Sequence, residues 1–227
     1  KVKNSDGTHR FGLSFPVALF FWVFRGSFGS AFGVVLALVL GFLPMRPAQA
    51  INWVSGATNF NLGTSWVGGV LPDGTTTADF ASGLTLAQSP VLNSNISLLG
   101  LNMASNFGVT LGSAAGLQTI TVGAGGIQKT GSGAFTMGLT TDRIGLSLSG
   151  SQTFANDSAV GMTLHTDVTS TLAPVTLTLA GANAAGGVTI SGTLTDTGST
   201  PLSLAKSGLN TATLSGAVTI SGGVTVS

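Results

Sequence analysis

Hydrophobic and polar residues alternate in short bursts along most of this chain, and Gly, Ser, Asn or Pro separate the bursts. Within a burst, Val, Leu or Ile alternates with residues such as Thr, Ser or Gly, and this period of two predicts short strands with one buried face. The bursts are Leu84–Leu86, Val109–Leu111, Ile120–Val122, Leu146–Leu148, Val175–Leu179, Val188–Ile190, Leu202–Leu204, Val218–Ile220 and Val224–Val226.

The strand-and-turn pattern repeats along the chain. Its clearest copy covers residues 202–227, and looser copies cover 125–138 and 177–194. After Ala50 no segment of helical length carries the apolar spacing of an amphipathic helix. A repeated strand-and-turn unit predicts an all-β solenoid of stacked coils, with about six or seven coils over 84–227 at roughly 20–25 residues each.

The first 50 residues differ from the rest. They hold five of the eight basic residues, an apolar run at Gly33–Leu43 and the small residues Ala48 and Ala50. This order is typical of a secretory signal peptide, so we expect cleavage after Ala50. The alternative is a membrane anchor, but Arg25 divides the apolar residues into two parts, each shorter than the roughly 20 residues that span a bilayer.

Residues 51–83 form a distinct segment before the repeats. It contains Trp53, Trp66 and a Pro72–Asp73–Gly74 turn. Its aromatic residues predict a cap over the first coil, where an unpaired strand edge would otherwise be exposed. The alternative interpretation of Trp53 and Trp66 is a surface on which a sugar could stack. The chain has no initiator Met and stops at Ser227 directly after a strand pattern, so we expect it to be truncated.

Charge and composition exclude some classes of protein. Without the first 50 residues, three basic residues face six Asp, which gives a formal net charge of −3 and no basic cluster for nucleic acid. The absence of Cys excludes disulfides and thiolate metal sites. Low charge together with regular alternation of apolar residues favours folded β structure over disorder.

Candidate catalytic groups are few. His165 and Asp167 alternate on one predicted strand face and are the pair closest to an acid/base arrangement. Asp142, Asp157 and Asp196 lie in turn-like segments, where such side chains usually bond the backbone. No phosphate loop, calcium nonapeptide or nucleophile elbow is present. We therefore predict no catalytic, cofactor-binding or metal-binding residues.

Four segments carry a more specific motif. Lys129–Gly133 and Lys206–Gly208 provide a Lys-x-Gly start, and Leu177–Asn183 and Gly186–Leu194 provide Leu-x-Leu-x-Gly-Ala-Asn and Gly-Gly-x-x-Ile-x-x-Gly-x-Leu. Together they resemble autotransporter-associated β-strand repeats, also called passenger-associated transport repeats, although the last copy lacks the Asn and the Gly-Gly pair after Ala217. The motif positions are Lys129, Gly131, Gly133, Gly181, Asn183, Gly186, Gly187, Lys206, Gly208, Gly222 and Gly223.

The resemblance implies a right-handed parallel β-helix that is secreted to the cell surface of a Gram-negative-type envelope. It also implies an outer-membrane translocation barrel as partner, which this chain does not contain, and contact with surface glycans or other cells. We expect a non-catalytic stalk or adhesion scaffold without a cofactor and without nucleic acid. The alternatives are a carbohydrate-active β-helix, similar to a polysaccharide lyase, and a carbohydrate-binding module built on the Trp residues.

Overall fold

The computed structural model describes residues 49–114, 116–170 and 174–227. These residues form an all-β fold with one short 3-10 helix at Gly63–Ser65. The strands are β1 (Gln49–Asn52), β2 (Thr76–Phe80), β3 (Val91–Leu92), β4 (Ile96–Met103), β5 (Val109–Ser113), β6 (Thr119–Lys129), β7 (Phe135–Met137), β8 (Ile144–Leu148), β9 (Gln152–Asn156), β10 (Met162–Leu164), β11 (Thr166–Ser170), β12 (Val175–Ala180), β13 (Gly187–Ile190), β14 (Leu194–Thr195), β15 (Leu202–Lys206), β16 (Thr211–Leu214), β17 (Val218–Thr219) and β18 (Val224–Val226).

The strands pair in parallel and stack into a β-solenoid of about six coils, which confirms the predicted fold class. Each coil passes through three faces. Face A contains β8, β11, β14, β17 and the first halves of β4 and β6. Face B contains β1, β2, β9, β12, β15, β18 and the second halves of β4 and β6. Face C contains β3, β5, β7, β10, β13 and β16.

The coils are of similar but not identical length. Leu204 pairs with Val224, 20 residues on, whereas Phe135 pairs with Met162, 27 residues on, and the other pairs of strands have spacings within these limits. The expected spacing of roughly 20–25 residues was therefore close to the observed one. The variation in coil length comes from loops of different length at the corners, because the face C strands pair in register.

Alternation within each strand builds the core. In β12 the Val and Leu side chains are buried and the intervening Thr side chains are half-exposed. Residues that pair across coils point in the same direction, so inward side chains form continuous columns along the stack. One such column on face C consists of Val109, Phe135, Met162, Val188 and Ala212. Burial of these columns supplies the main stabilisation of a chain that has no disulfide.

A glycine bend turns the chain from face A to face B in the early coils. Gly126 has φ +61°, and a Cβ at this position would collide with the carbonyl oxygen of Thr153 in the next coil. The pairing of β4 with β6 shifts register between Leu98 and Gly100 at the same corner. A residue without a side chain is required here because the backbones of neighbouring coils approach closely.

The stack begins earlier than the repeat pattern indicated. β1 and β2 lie in or beside the Trp-containing segment, yet Ile51 pairs with Ala78 and Ala78 with Leu101 on face B. The predicted strand at Leu84–Leu86 is instead a loop, although Leu84 itself is buried. Residues 1–48 of the predicted signal peptide are not among the described residues. The expected cleavage point after Ala50 falls within β1. In the part of the chain that the structure describes, no helix is long and apolar enough to cross a membrane.

Candidate functional site

An aromatic cluster closes the first coil. Trp53, Phe60, Trp66 and Phe80 contact one another with ring-centroid distances from 4.9 to 6.5 Å. The indole of Trp53 donates a hydrogen bond to Gln88 Oε1 at 3.0 Å, and that of Trp66 donates to the Phe60 carbonyl at 2.9 Å. Both indole N–H groups are therefore satisfied inside the cluster, as buried indoles require.

The alternative interpretation of Trp53 and Trp66, as a surface on which a sugar could stack, does not fit this structure. Their side chains are only 2% and 1% exposed, so neither indole has a free face on which a sugar ring could lie. The other interpretation, a cap that covers the first coil, describes both residues. The sequence could not separate the two because aromatic density is the same in a cap and in a sugar platform.

Both lysines of the repeat motif lie at the corner between faces B and C, but two residues apart in register. Lys206 aligns with Ile127, through Leu179 and Phe154 of the coils between them. Lys129 Nζ donates to the Gly131 carbonyl at 2.7 Å, and Lys206 Nζ donates to the Gly208 carbonyl at 2.9 Å. Each ammonium group thus bonds the backbone two residues further on. This shared geometry supports the expected structural role at a coil turn.

Lys129 is fully buried, which is unusual for a lysine. Desolvation lowers the pKa of Lys129 from 10.5 to about 8, because a buried ammonium loses the hydration that stabilises its charge. Asn156, which pairs in register with Lys129, was missed by the sequence analysis. Its side chain accepts from the Ser158 amide and donates to the Gly187 carbonyl, so it bridges to the next coil.

Most motif glycines lie directly against the backbone of another coil. A Cβ at any of them would collide with a carbonyl oxygen of that coil; the pairs are Gly131 with Ser105, Gly133 with Phe107, Gly181 with Asn156, Gly186 with Ser158, Gly208 with Gly181 and Gly222 with Leu202. Gly187, within β13, and Gly223 have more room. Asn183 closes its own turn by accepting from the Ala185 amide. These positions therefore serve coil stacking and turn formation.

Three aspartates hold the backbone of the following coil. Asp157 accepts from the Ala182 amide, Asp167 from the Thr193 amide and Asp196 from the Ser221 amide. We expected turn aspartates to bond their own backbone, and Asp196 also does this through Gly198 and Leu202. Hydrogen bonds from the amides of Leu202 and Ser221 lower the pKa of Asp196 from 3.8 to about 2.

His165 and Asp167 do not bond each other. His165 Nδ1 lies 2.6 Å from Ser191 Oγ, while Asp167 Oδ1 accepts from Arg143 at 3.0 Å and from Thr193. Burial alone would raise the pKa of Asp167, but the hydrogen bonds from Thr193 and Arg143 outweigh it and the pKa lies below its ordinary value. An ionised, bridged carboxylate of this kind is poorly suited to act as a general base.

A shallow cleft lies beside this group at the corner between faces C and A. It has a volume of about 330 Å³ and is lined by Gly116, Leu117, Thr140, Thr141, Asp142 and Arg143. No sequence pattern indicates this cleft, since its two loops are 20 or more residues apart in the chain. Across the described ranges no group of three or more His, Cys, Asp or Glu side chains could hold a metal ion.

Comparisons of the chain with family models, with curated proteins and with solved structures gave no match.

Proposed function

We propose that this chain serves as a non-catalytic β-solenoid scaffold at the cell surface, as a stalk or adhesion segment of an autotransporter-type passenger. The observation that carries the proposal is the use of the motif residues. Lys129 and Lys206 each bond the backbone carbonyl two residues further on, and Gly133 and Gly186 leave space for the adjacent coil. The resemblance to autotransporter-associated repeats supports the surface location, with a translocation barrel as partner.

The arrangement of charge also supports a scaffold. Asp167 is engaged by Arg143 and Thr193, and Asp196 by backbone amides of two coils. Polar side chains used in this way strengthen contacts between neighbouring coils. In a stack where each coil contacts only its neighbours, such contacts set the resistance to force along the axis.

A pulling experiment tests the scaffold role. Because the chain has no Cys, single cysteines at Ser55 and Ser221 provide unique attachment points. We expect extension in steps of one coil, each releasing about 90 Å for some 26 residues, because the coils unfold one after another. Release of the whole stack in one step would contradict the proposal.

Export and catalysis need separate tests. A reporter enzyme that is active only outside the cytoplasm, fused after Ser227, is expected to gain activity with residues 1–227 and to lose it with 51–227. Equal activity of the two fusions would contradict export through the leader. Cleavage of a polyuronide that is abolished by Asp167→Asn would replace the scaffold proposal with the lyase alternative.

A further inference from the structure

A row of identical side chains runs along the outside of face C. Thr110 pairs with Thr136, Thr136 with Thr163, Thr163 with Thr189 and Thr189 with Thr213. Five successive coils therefore place threonine at the same outward position, without a bulge. At about 4.8 Å between paired strands the row is about 19 Å long. We call these five residues the threonine row.

The hydroxyl groups of the threonine row are free to bind. Thr110 and Thr213 are exposed, and the other three are half-exposed. Within the described ranges none of the five hydroxyls bonds another protein group, in contrast to Thr193 and Thr200 at the corners. Threonine is β-branched and stiff at χ1, so the row presents hydroxyl and methyl groups with little conformational freedom to lose.

The outward positions directly next to the row are mostly small and include no carboxylate, lysine or arginine. Two positions before the threonines lie Gly108, Ala134, Gly161, Gly187 and Thr211, and two positions after them lie Gly112, Gly138, His165, Ser191 and Ser215. His165 is the largest of these and is held by Ser191. The neighbours therefore leave the threonines accessible to a flat surface.

Face A has a similar row but lacks these properties. Ser97, Thr121, Ser147, Thr169, Thr195 and Thr219 pair in register there. Ser147 is only 7% exposed, and the carboxylate of Asp167 lies two positions before Thr169. Face C is therefore the better candidate for binding a regular, neutral surface.

The small binding free energy that the row can supply limits the kind of ligand that it could hold. A hydrogen bond that replaces one to water gains only about 1 kcal/mol, and five such bonds gain about 5 kcal/mol. Association costs about 4–15 kcal/mol in lost freedom, so a small soluble ligand would not stay bound. A row of this kind suits a surface that is already ordered and that repeats at the spacing of the coils.

We propose that the threonine row binds the surface of crystalline water. The coil spacing is close to a repeat distance between oxygen atoms in ice, the hydroxyl groups can take part in that lattice, and the methyl groups exclude disordered water between them. A charged polymer finds no partner on this face. A crystalline polysaccharide is less favoured, because the two Trp residues that could stack on sugars are buried.

The test measures inhibition of ice recrystallisation and partition into growing ice, with the full chain. The double variant Thr136→Val/Thr163→Val removes two hydroxyls and keeps the strand propensity and the methyl groups. We expect its lowest inhibitory concentration to rise about tenfold or more, as two lost bonds of about 1 kcal/mol each imply. Thr163→Lys, which places a long charged side chain mid-row, should abolish inhibition.

Thr178→Lys is the matched control. Thr178 is also an outward, half-exposed strand threonine, but its row on face B is interrupted, since it pairs with Ala205. This variant should inhibit ice recrystallisation as strongly as the unmodified chain. Unchanged circular dichroism and melting temperature would show that every variant folds. Absence of ice activity in the unmodified chain, or equal loss in Thr178→Lys, overturns the proposal. Binding to chitin or cellulose powder that requires the row, without ice activity, also overturns it in favour of a polysaccharide.

Discussion

The first and last coils share the same alternation of residues but differ in what covers them. At the first coil, Trp66 is 1% exposed because Trp53, Phe60 and Phe80 surround it. In β18 of the last coil, Val224 and Val226 are 63% and 76% exposed. The pattern of a solenoid strand therefore specifies which side faces inward, while burial is decided by the neighbouring coils.

The same difference is visible in the shape of the core. Beside the last coils lies a hollow of about 340 Å³ that is open to solvent and mainly apolar, lined by Leu179, Leu204, Lys206, Ala212, Leu214, Val224 and Val226. At the first coil, in contrast, the four aromatic rings pack against one another and are buried. We expect the stability of the stack to depend strongly on the capped coil and weakly on the last one.

The largest effect is expected from Trp66→Ala. Removal of a buried indole from the cap should cost about 4 kcal/mol of unfolding free energy, measured by urea denaturation. Val226→Ala is the counterpart in the last coil and should change the free energy by about 0.5 kcal/mol or less. Similar costs for the two substitutions would remove the distinction between the coils.

The second prediction concerns Lys129 in the interior. Between pH 8 and 10.5 the unfolded chain keeps this lysine protonated while the folded protein holds it neutral, so stability should rise with pH. The rise should reach about 3 kcal/mol across this range. Lys129→Met removes the buried charge, so it should be more stable than the unmodified chain at pH 7, with the difference shrinking towards pH 10.5.

Lys206→Met provides the control for that experiment, since Lys206 also bonds the carbonyl two residues further on but is only half-buried. It leaves Lys129 in place, and the rise in stability with pH should therefore persist. Denaturation curves at pH 7, 8, 9 and 10 measure the unfolding free energy of the unmodified chain and of both variants. A rise that survives in Lys129→Met would show that another group causes it.

The third prediction compares two motif glycines. Gly133→Ala places a Cβ against the Phe107 carbonyl of the preceding coil, and the backbone shift should cost about 2 kcal/mol. A Cβ at Gly223 would meet no atom within 4 Å, so Gly223→Ala should be close to neutral or slightly stabilising. Thermal melts of the two variants measure the difference, and equal melting temperatures would contradict close stacking at the inner corner.

The smallest effect is expected from Asp196, which ties the last coil to the one before it. Its pKa is lowered, so its stabilising bonds are complete above about pH 4 and are lost as the pH falls towards 2. Asp196→Asn should therefore speed amide exchange at Ser221 at neutral pH and weaken the acid dependence in that coil. Asp73→Asn is the control, because the carboxylate of Asp73 bonds only Thr75 and Thr76 of its own turn near the cap.

Much of the fold was predictable because alternation is a local property. Seven of the nine bursts lie wholly in strands, and Val218–Ile220 extends one residue beyond β17. The strands that the bursts missed, such as β9 and β10, mix Gln, Asn or Met into the pattern, and their apolar residues are still buried. The motif positions Lys129 and Gly133 lie at corners, but the spacing of Lys129 and Lys206 does not follow the coil, because Lys206 aligns with Ile127.

The candidate site was much less predictable. The partners of Asp167 are Arg143 and Thr193, which lie 24 and 26 residues away, and the coil length varies enough to hide such a match. The threonine row was hidden for the same reason, since its members are spaced by 24 to 27 residues. The burial of Trp53 also depended on Gln88, which no local pattern connects with it.

In-register pairing of whole coils makes the length of the stack adjustable in equal increments. Removal of residues 137–163 would join Thr136 directly to Leu164, in the place that Met137 occupies beside it in register. The strands of each face would then pair with those of the next remaining coil, and the stack would be about 4.8 Å shorter. Such a molecule can serve as a molecular ruler, whose reach is set by the number of coils that its gene encodes.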